Sequence, residues 1–340
     1  METPATGSQR PIGALRTAQP APQQALASVA DRALVEELVA RLRSRQVFGD
    51  DRDLAWLGAL LTGGLRDQLD VHVNRFSRQR SRDAFQALWL HLQPPPSLAG
   101  ATVVDLGCGG SNPGGIAFLF LALGAQRGIA IDLDEIADQR LAVRALADLA
   151  ANLLFDAKGL VGGAAIRPEQ VLQNLASFQL GRLQAGDPAG IDFTRLAYRQ
   201  ESAARTSLAD GEADFVFSTN LLEHVADPGA VTREVARITR RGGVGVHVID
   251  LSDHRRYAGD RHLLEFLREP GPGFLHGCNR LRRSMFPPLF AAHGLSITAC
   301  DTLSRCAVDA KLRASFAAPW RDLDQDDLEV TMIRVTTRRD

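Results

Sequence analysis

Val103-Val104-Asp105-Leu106-Gly107-Cys108-Gly109-Gly110-Ser111-Asn112-Pro113-Gly114 is the stretch that decides the fold of this 340-residue chain. An apolar run ends in an acid and opens into a glycine-rich loop. A buried parallel strand hands over in this way to a loop that must press its backbone against a ligand. Glycine has no Cβ to hold a ligand away, and it accepts positive φ. Residues 116–123 then read as a helix whose N-terminal amides and dipole face the same ligand.

Many tight turns are glycine-rich, so the assignment leans on two further segments. Residues 126–132 form a short strand that ends in Asp132, 23 residues past Gly109. In nucleotide-binding βαβ units an acid at about this distance accepts hydrogen bonds from ribose hydroxyls. Further on, Asp214-Phe215-Val216-Phe217-Ser218-Thr219-Asn220-Leu221-Leu222-Glu223-His224-Val225 supplies a buried strand. A helix over about 228–239 and a strand over 241–250 follow it. This alternation is that of a doubly wound sheet.

Together these residues resemble the class I S-adenosylmethionine-dependent methyltransferases, in the type 11-like branch that carries a Leu-Glu-His-Val segment after the fourth strand, here Leu222-Glu223-His224-Val225. The resemblance runs from about residue 98 to the C-terminus. In addition, His247-Val248-Ile249-Asp250-Leu251-Ser252-Asp253-His254 and Asn279-Arg280-Leu281-Arg282-Arg283-Ser284 are similar to bacterial methyltransferases of surface-polysaccharide gene clusters. The resemblance implies an α/β, Rossmann-like fold with a mostly parallel seven-stranded sheet and a C-terminal antiparallel hairpin. It implies S-adenosylmethionine as cofactor, held by Asp105, Gly107, Cys108, Gly109, Gly110, Ser111, Asp132, Leu133, Asn220, Leu221 and His224. Asp105 would organise the loop around the methionine end and Asp132 would bind the ribose.

The chain departs from that pattern in two places. The usual third glycine of the loop falls at Ser111, with Gly110 shifted and residues 112–115 extending the loop. The usual adenine-contacting acid after the third strand, expected over 194–199, has no clear counterpart. Glu201, Ser202, Ala203 and Ala204 are the candidates, with the backbone of Ala203 and Ala204 serving adenine. Two alternatives stay open. A nicotinamide-dependent oxidoreductase would want a third glycine where Asn112 stands, and would have no need of Asp105. A non-catalytic binding or scaffolding protein would keep the loop and Asp132 without turnover.

Composition sets the broad class. Hydrophobic residues make up 45%, charged residues 23%, and the formal net charge is −1, values of a soluble globular protein with no general attraction to nucleic acid. The densest basic run, over 74–82, reads as a solvated helix face. No apolar run is long enough to span a bilayer, and the start lacks the pattern of a signal peptide, so the cytoplasm is expected. Cys108, Cys278, Cys300 and Cys306 contain no Cys-x-x-Cys pair and no histidine spacing for zinc. They are expected to be free thiols, with no metal bound. Lys158 and Lys311 are the only lysines, an arginine bias that a GC-rich bacterial genome would explain.

Residues 1–27 are rich in Pro, Ala and Gln and are expected to be disordered. Residues 28–96 read as a helical cap, with helices near 30–43, 53–61 and 82–92, before Pro94-Pro95-Pro96 breaks the chain. Such a cap closes an active site, forms a homodimer, or merely packs. The methyltransferase domain then occupies 97–340, with insertions at about 133–192 and 254–283. Helices are expected over 141–149, 168–177 and 284–293, and strands over 296–303 and 328–336.

Methyl transfer from a sulfonium asks the protein mainly to place a nucleophile in line. A hydroxyl acceptor, of a saccharide or other small metabolite, also needs a base for its proton. His254 is the first candidate, with Asp253 or Asp250 to orient it; His224 is the second, and His247 reads as structural. Asn279, Arg280, Arg282 and Arg283 are candidate substrate contacts, since arginine forks match the phosphates and carboxylates of sugar donors. Ion pairs of these arginines to Glu265 and Glu269 are the structural alternative.

Overall fold

The computed structural model describes residues 40, 78–89, 92, 97–110, 113–155, 160–161, 166–258, 261–271 and 273–340. The segment 1–27, the helices expected at 30–43 and 53–61, the Pro94–Pro96 break, Ser111 and Asn112 lie outside the described residues.

Five strands run parallel: β1 (Thr102–Leu106), β2 (Arg127–Asp132), β3 (Leu196–Gln200), β4 (Ala213–Thr219) and β5 (Thr239–Asp250). β6 (Leu295–Arg305) and β7 (Val330–Arg339) complete a seven-stranded sheet of order β3-β2-β1-β4-β5-β7-β6, with β7 antiparallel to both neighbours. The order reverses between β1 and β4, so a crevice opens at the carboxyl ends of these two strands, where open α/β sheets bind ligands.

Alternate residues of the central strands feed two cores, as a period of two requires. Val103, Ala130, Phe215 and Phe217 enter one; Val104, Ile129, Ile131 and Val216 enter the other. On the first face lie α1 (Arg78–Trp89), α2 (Gly115–Ala122) and α3 (Gln139–Phe155), followed by the short helices α4 (Pro168–Asn174) and α5 (Leu180–Ala185). Every residue of α2 is buried, which fits its apolar sequence Gly-Ile-Ala-Phe-Leu-Phe-Leu-Ala. Phe217 stacks on Phe120 at 4.6 Å, and Phe120 meets the edge of Phe85 at 5.0 Å, so an aromatic column ties β4 through α2 to α1. Arg334 of β7 donates to the Ala87 carbonyl at 3.0 Å and fixes the same helix from the sheet. On the second face α6 (Pro228–Ile238) and α7 (Phe286–Ala291) cover the other core.

Three boundaries differ from expectation for local reasons. β3 starts at Leu196, not residue 194, because Asp192 holds the Thr194 amide (3.0 Å) and hydroxyl (2.6 Å) in a turn. α7 begins at Phe286 after a 3₁₀ turn, since Pro287 and Pro288 are tolerated only in a first helical turn. β6 runs on to Arg305 and β7 begins only at Val330, against strands expected over 296–303 and 328–336, and residues 306–329 between them include α8 (Ala310–Ser315) and α9 (Gln325–Glu329). This segment and the insertion after β5 share a third core of Leu264, Phe266, Leu267, Cys278, Val308, Phe316, Trp320 and Leu328.

Candidate active site

The β1–α2 loop turns through Gly107 (φ 75°) and Gly109 (φ 73°). A Cβ on Gly107 would stand 2.8 Å from the Leu221 side chain, and one on Gly110 only 2.2 Å from the Glu135 carbonyl oxygen, so neither position admits another residue. A Cβ built on Gly109 would meet no described atom within 4 Å. Asp132, at the end of β2, ties the loop down. Its Oδ2 accepts from the Gly109 amide at 2.6 Å and its Oδ1 from the Asp134 amide at 2.9 Å. Leu133 beside it is exposed. The Cys108 sulfur accepts the Gly114 amide, and burial together with Asp105 and Asp132 pushes this thiol well above its ordinary pKa. Cys108 is therefore a neutral packing residue, and Cys108, Cys278, Cys300 and Cys306 are all free thiols.

Asp105 is almost fully buried beneath this loop, and its Oδ1 has no hydrogen-bond partner among the described residues. Burial, and then the charge of Asp132, raises its pKa to about 7. A buried acid with an unsatisfied oxygen is costly unless something polar or cationic comes to meet it. Asp105, the two positive-φ glycines and the acid ending β2 fit the methionyl and ribosyl parts of S-adenosylmethionine. Ala203 and Ala204 lie just past β3 in a turn that Ser202 closes by accepting the Ala204 amide at 3.2 Å. Glu201 is not positioned as an adenine ligand, because its carboxylate takes the Ser207 amide (2.7 Å) and hydroxyl (2.5 Å). Asn220 adopts positive φ (54°) after β4, and its amide donates to the Val248 carbonyl at 2.9 Å.

At the ends of β4 and β5 a second group of side chains gathers. His224 and His254 meet edge to face with ring centroids 4.6 Å apart. Of the two nearby acids, Asp250 stands beside His254, with Oδ2 3.3 Å from Nε2. Burial alone would raise Asp250, but hydrogen bonds from His254 and Ser252 outweigh it and hold the group near 2. Asp253 does not serve His254. Its carboxylate is gripped by the Arg255 guanidinium at 2.6 Å, and Arg255 in turn reaches Glu269 at 2.9 Å. His224 Nδ1 lies 2.7 Å from the Gly277 carbonyl oxygen. Sequence reasoning gave Glu223 no role, yet this side chain is buried under the corner and accepts the Asp250 amide at 3.2 Å. Burial raises its pKa to about 8. Its place inside the Leu-Glu-His-Val segment was the one available signal. His247 is structural, as expected. It is fully buried, 2.8 Å from the Ser218 hydroxyl, stacked on Phe290, and burial lowers its pKa to about 3.

The candidate substrate contacts are corrected by their surroundings. Asn279 is buried and donates to the Leu222 (2.6 Å) and Val225 (3.1 Å) carbonyls. Arg280 spends its guanidinium on the Phe266, Glu269, Gly271 and Gly273 carbonyls and lies over the Trp320 ring at 4.4 Å. Arg282 has no exposed surface and donates to the Leu251, Leu328 and Val330 carbonyls. Arg283 pairs on the surface with Asp326 at 2.9 Å. Asn279, Arg280 and Arg282 spend their donors on backbone carbonyls, and together with Arg283 they clasp the insertion and residues 306–329 onto the sheet. The expected ion pairs to Glu265 and Glu269 do not form either; Glu265 pairs with Arg268.

Residues 173–246 match the family model described as methyltransferase domain. No curated protein matches the chain at a significant level. Among solved structures, the chain is similar to an S-adenosylmethionine-dependent methyltransferase from Mesorhizobium loti (17% identity, covering 74% of this chain and 98% of that one, TM-score 0.40). It is similar also to a putative S-adenosylmethionine-dependent methyltransferase from Listeria monocytogenes (14%, 76% and 97%, 0.41). A third is geranyl diphosphate C-methyltransferase from Streptomyces coelicolor (15%, 75% and 77%, 0.43). At such scores these likenesses carry no argument about function. Sheet order and the antiparallel β7 define the class of fold, Rossmann-like with the strand arrangement of the class I methyltransferases, and the match over residues 173–246 is to a methyltransferase domain.

Proposed function

We propose that the chain transfers a methyl group from S-adenosylmethionine to an oxygen of a small acceptor, a saccharide first among the candidates. The observation that carries this reading is the pairing of buried Asp105, raised to about 7, with the glycine loop pinned by Asp132. Asp105 and the loop amides would hold the methionine end and Asp132 the ribose. Asn220, Leu221 and the backbone at Ala203 and Ala204 would border the remainder. S-adenosylmethionine supplies the activated methyl; the chain's own residues bind it, exclude water and handle the acceptor's proton.

The acceptor would approach the corner formed by His224 and His254, where Asp250 holds the His254 ring. A histidine there would accept the acceptor's hydroxyl proton. The likeness to polysaccharide-cluster enzymes is what ranks a sugar hydroxyl first among the acceptors. No described helix is long and apolar enough to cross a membrane. The test is incubation with methyl-labelled S-adenosylmethionine and a panel of nucleotide sugars, free sugars and small alcohols. Label should move to an acceptor oxygen in wild type and fall by about 10²–10⁴ in His254→Ala. Absence of transfer to every acceptor, despite tight cofactor binding, would favour the non-catalytic alternative.

A further inference from the structure

Three loops far apart in sequence bring His224, His254 and Cys278 together, each offering a donor atom within 4.8 Å of the others. Histidine and cysteine are the donor set of zinc. The arrangement is built rather than incidental. Cys278 is carried by a hairpin in which Leu275 and Cys278 exchange backbone hydrogen bonds of 2.7 and 2.9 Å across His276 (φ 51°) and Gly277 (φ 80°), both in the left-handed region. The same turn presents the Gly277 carbonyl to His224 Nδ1, which makes Nε2 the metal-facing nitrogen of that ring. The carboxylate of Asp250 stands beside the His254 ring. Carbonyl and carboxylate supports of this kind orient metal-binding imidazoles and raise their basicity.

Charge favours the same occupant. The anionic group nearest the three donors is the Asp250 carboxylate, buried and 3.3 Å from the His254 ring. Cys278 is 2% exposed whereas His224 is exposed, so an ion has a way in. With three protein donors the fourth position is left for water or substrate, the pattern of catalytic rather than structural zinc.

We infer that His224, His254 and Cys278 form a three-donor site for Zn²⁺ at the carboxyl ends of β4 and β5. The inference stands apart from the methyl-transfer reading. Where both hold, His224, His254 and Cys278 would hold an ion that would supply the acidification of an acceptor hydroxyl, in place of an imidazole base.

The full-length protein is stripped with a chelator, checked for its fold by circular dichroism, and titrated with Zn²⁺ and then Co²⁺ alone. Wild type should take up one equivalent of Zn²⁺, and its Co²⁺ form should show the thiolate-to-cobalt charge-transfer band of a tetrahedral site. Cys278→Ser should abolish the band. His224→Ala, at an exposed position that keeps the test valid if Cys278→Ser misfolds, should weaken Zn²⁺ binding by on the order of 100-fold. Failure of folded wild type to bind stoichiometric Zn²⁺, unchanged affinity in His224→Ala, or a band that survives in Cys278→Ser would overturn the site. Since the probe is metal alone, that failure would leave the methyl-transfer reading intact; absent cofactor binding would likewise leave the metal site intact.

Discussion

If Asp105 meets the cofactor as proposed, binding should release a proton. In the free protein its pKa lies at about 7, because burial and then Asp132 oppose its charge. A cofactor whose ammonium settles against the carboxylate would restore the ionised form and drive the bound-state pKa below the neutral range. With a free-state value of about 7, roughly three quarters of the sites are protonated at pH 6.5, so binding there should release about 0.75 proton per chain. By the same linkage the affinity should rise about 10-fold between pH 6 and pH 8, equivalent to roughly 1.4 kcal/mol. The assay is calorimetric titration with S-adenosylhomocysteine in two buffers of different ionisation enthalpy, at pH 6.5 and pH 8. Asp105→Asn, which resembles the protonated acid, should remove both the proton release and its share of the pH slope. Equal proton release in wild type and Asp105→Asn would refute the reasoning, as would an affinity flat from pH 6 to 8.

Three further outcomes follow from particular contacts. Arg282→Met leaves the Leu251, Leu328 and Val330 carbonyls without their donor and should cost on the order of 3–5 kcal/mol in urea unfolding, while Arg283→Ala should stay within about 0.5 kcal/mol. Gly110→Ala forces the loop off the Glu135 carbonyl and should weaken cofactor binding by at least about 10-fold with little change in the circular dichroism spectrum. His247 is neutral when folded and protonates on unfolding below its ordinary value of 6.5, so its contribution is present above that pH and is lost as pH falls toward about 3. The loss between pH 7.5 and pH 5 is about 2 kcal/mol. Asp105, raised when folded, has the opposite sign over pH 4–7; the measurement is therefore the difference between wild type and His247→Asn, whose unfolding free energy should fall less on acidification.

The sheet was legible because its signals are local. Apolar runs ending in Asp105 and Asp132, a glycine loop with no Cβ to spare, and an all-apolar α2 leave few other folds open. The role of His247 was legible for the same reason, since it sits mid-strand. What failed was the reading of polar residues in the insertion. Asn279, Arg280 and Arg282 look like ligand contacts in sequence, but an irregular segment must satisfy its own buried carbonyls, and these side chains do so. The third core that requires this is made by 254–285 with 306–329, a pairing no local pattern announces. The same long-range packing unites His224, His254 and Cys278, whose spacing matches no zinc motif. It also sets Asp250, rather than the adjacent Asp253, beside His254.

The central claim is a site for S-adenosylmethionine at the end of β1 and β2. The most direct test is calorimetric titration of wild type and Asp132→Ala with S-adenosylhomocysteine, with NAD as the rival ligand. The account predicts saturable binding to wild type, a loss of at least about 10-fold in Asp132→Ala as the ribose and Gly109 both lose their acceptor, and no binding of NAD. Binding of NAD but not of S-adenosylhomocysteine to the folded wild type would contradict it.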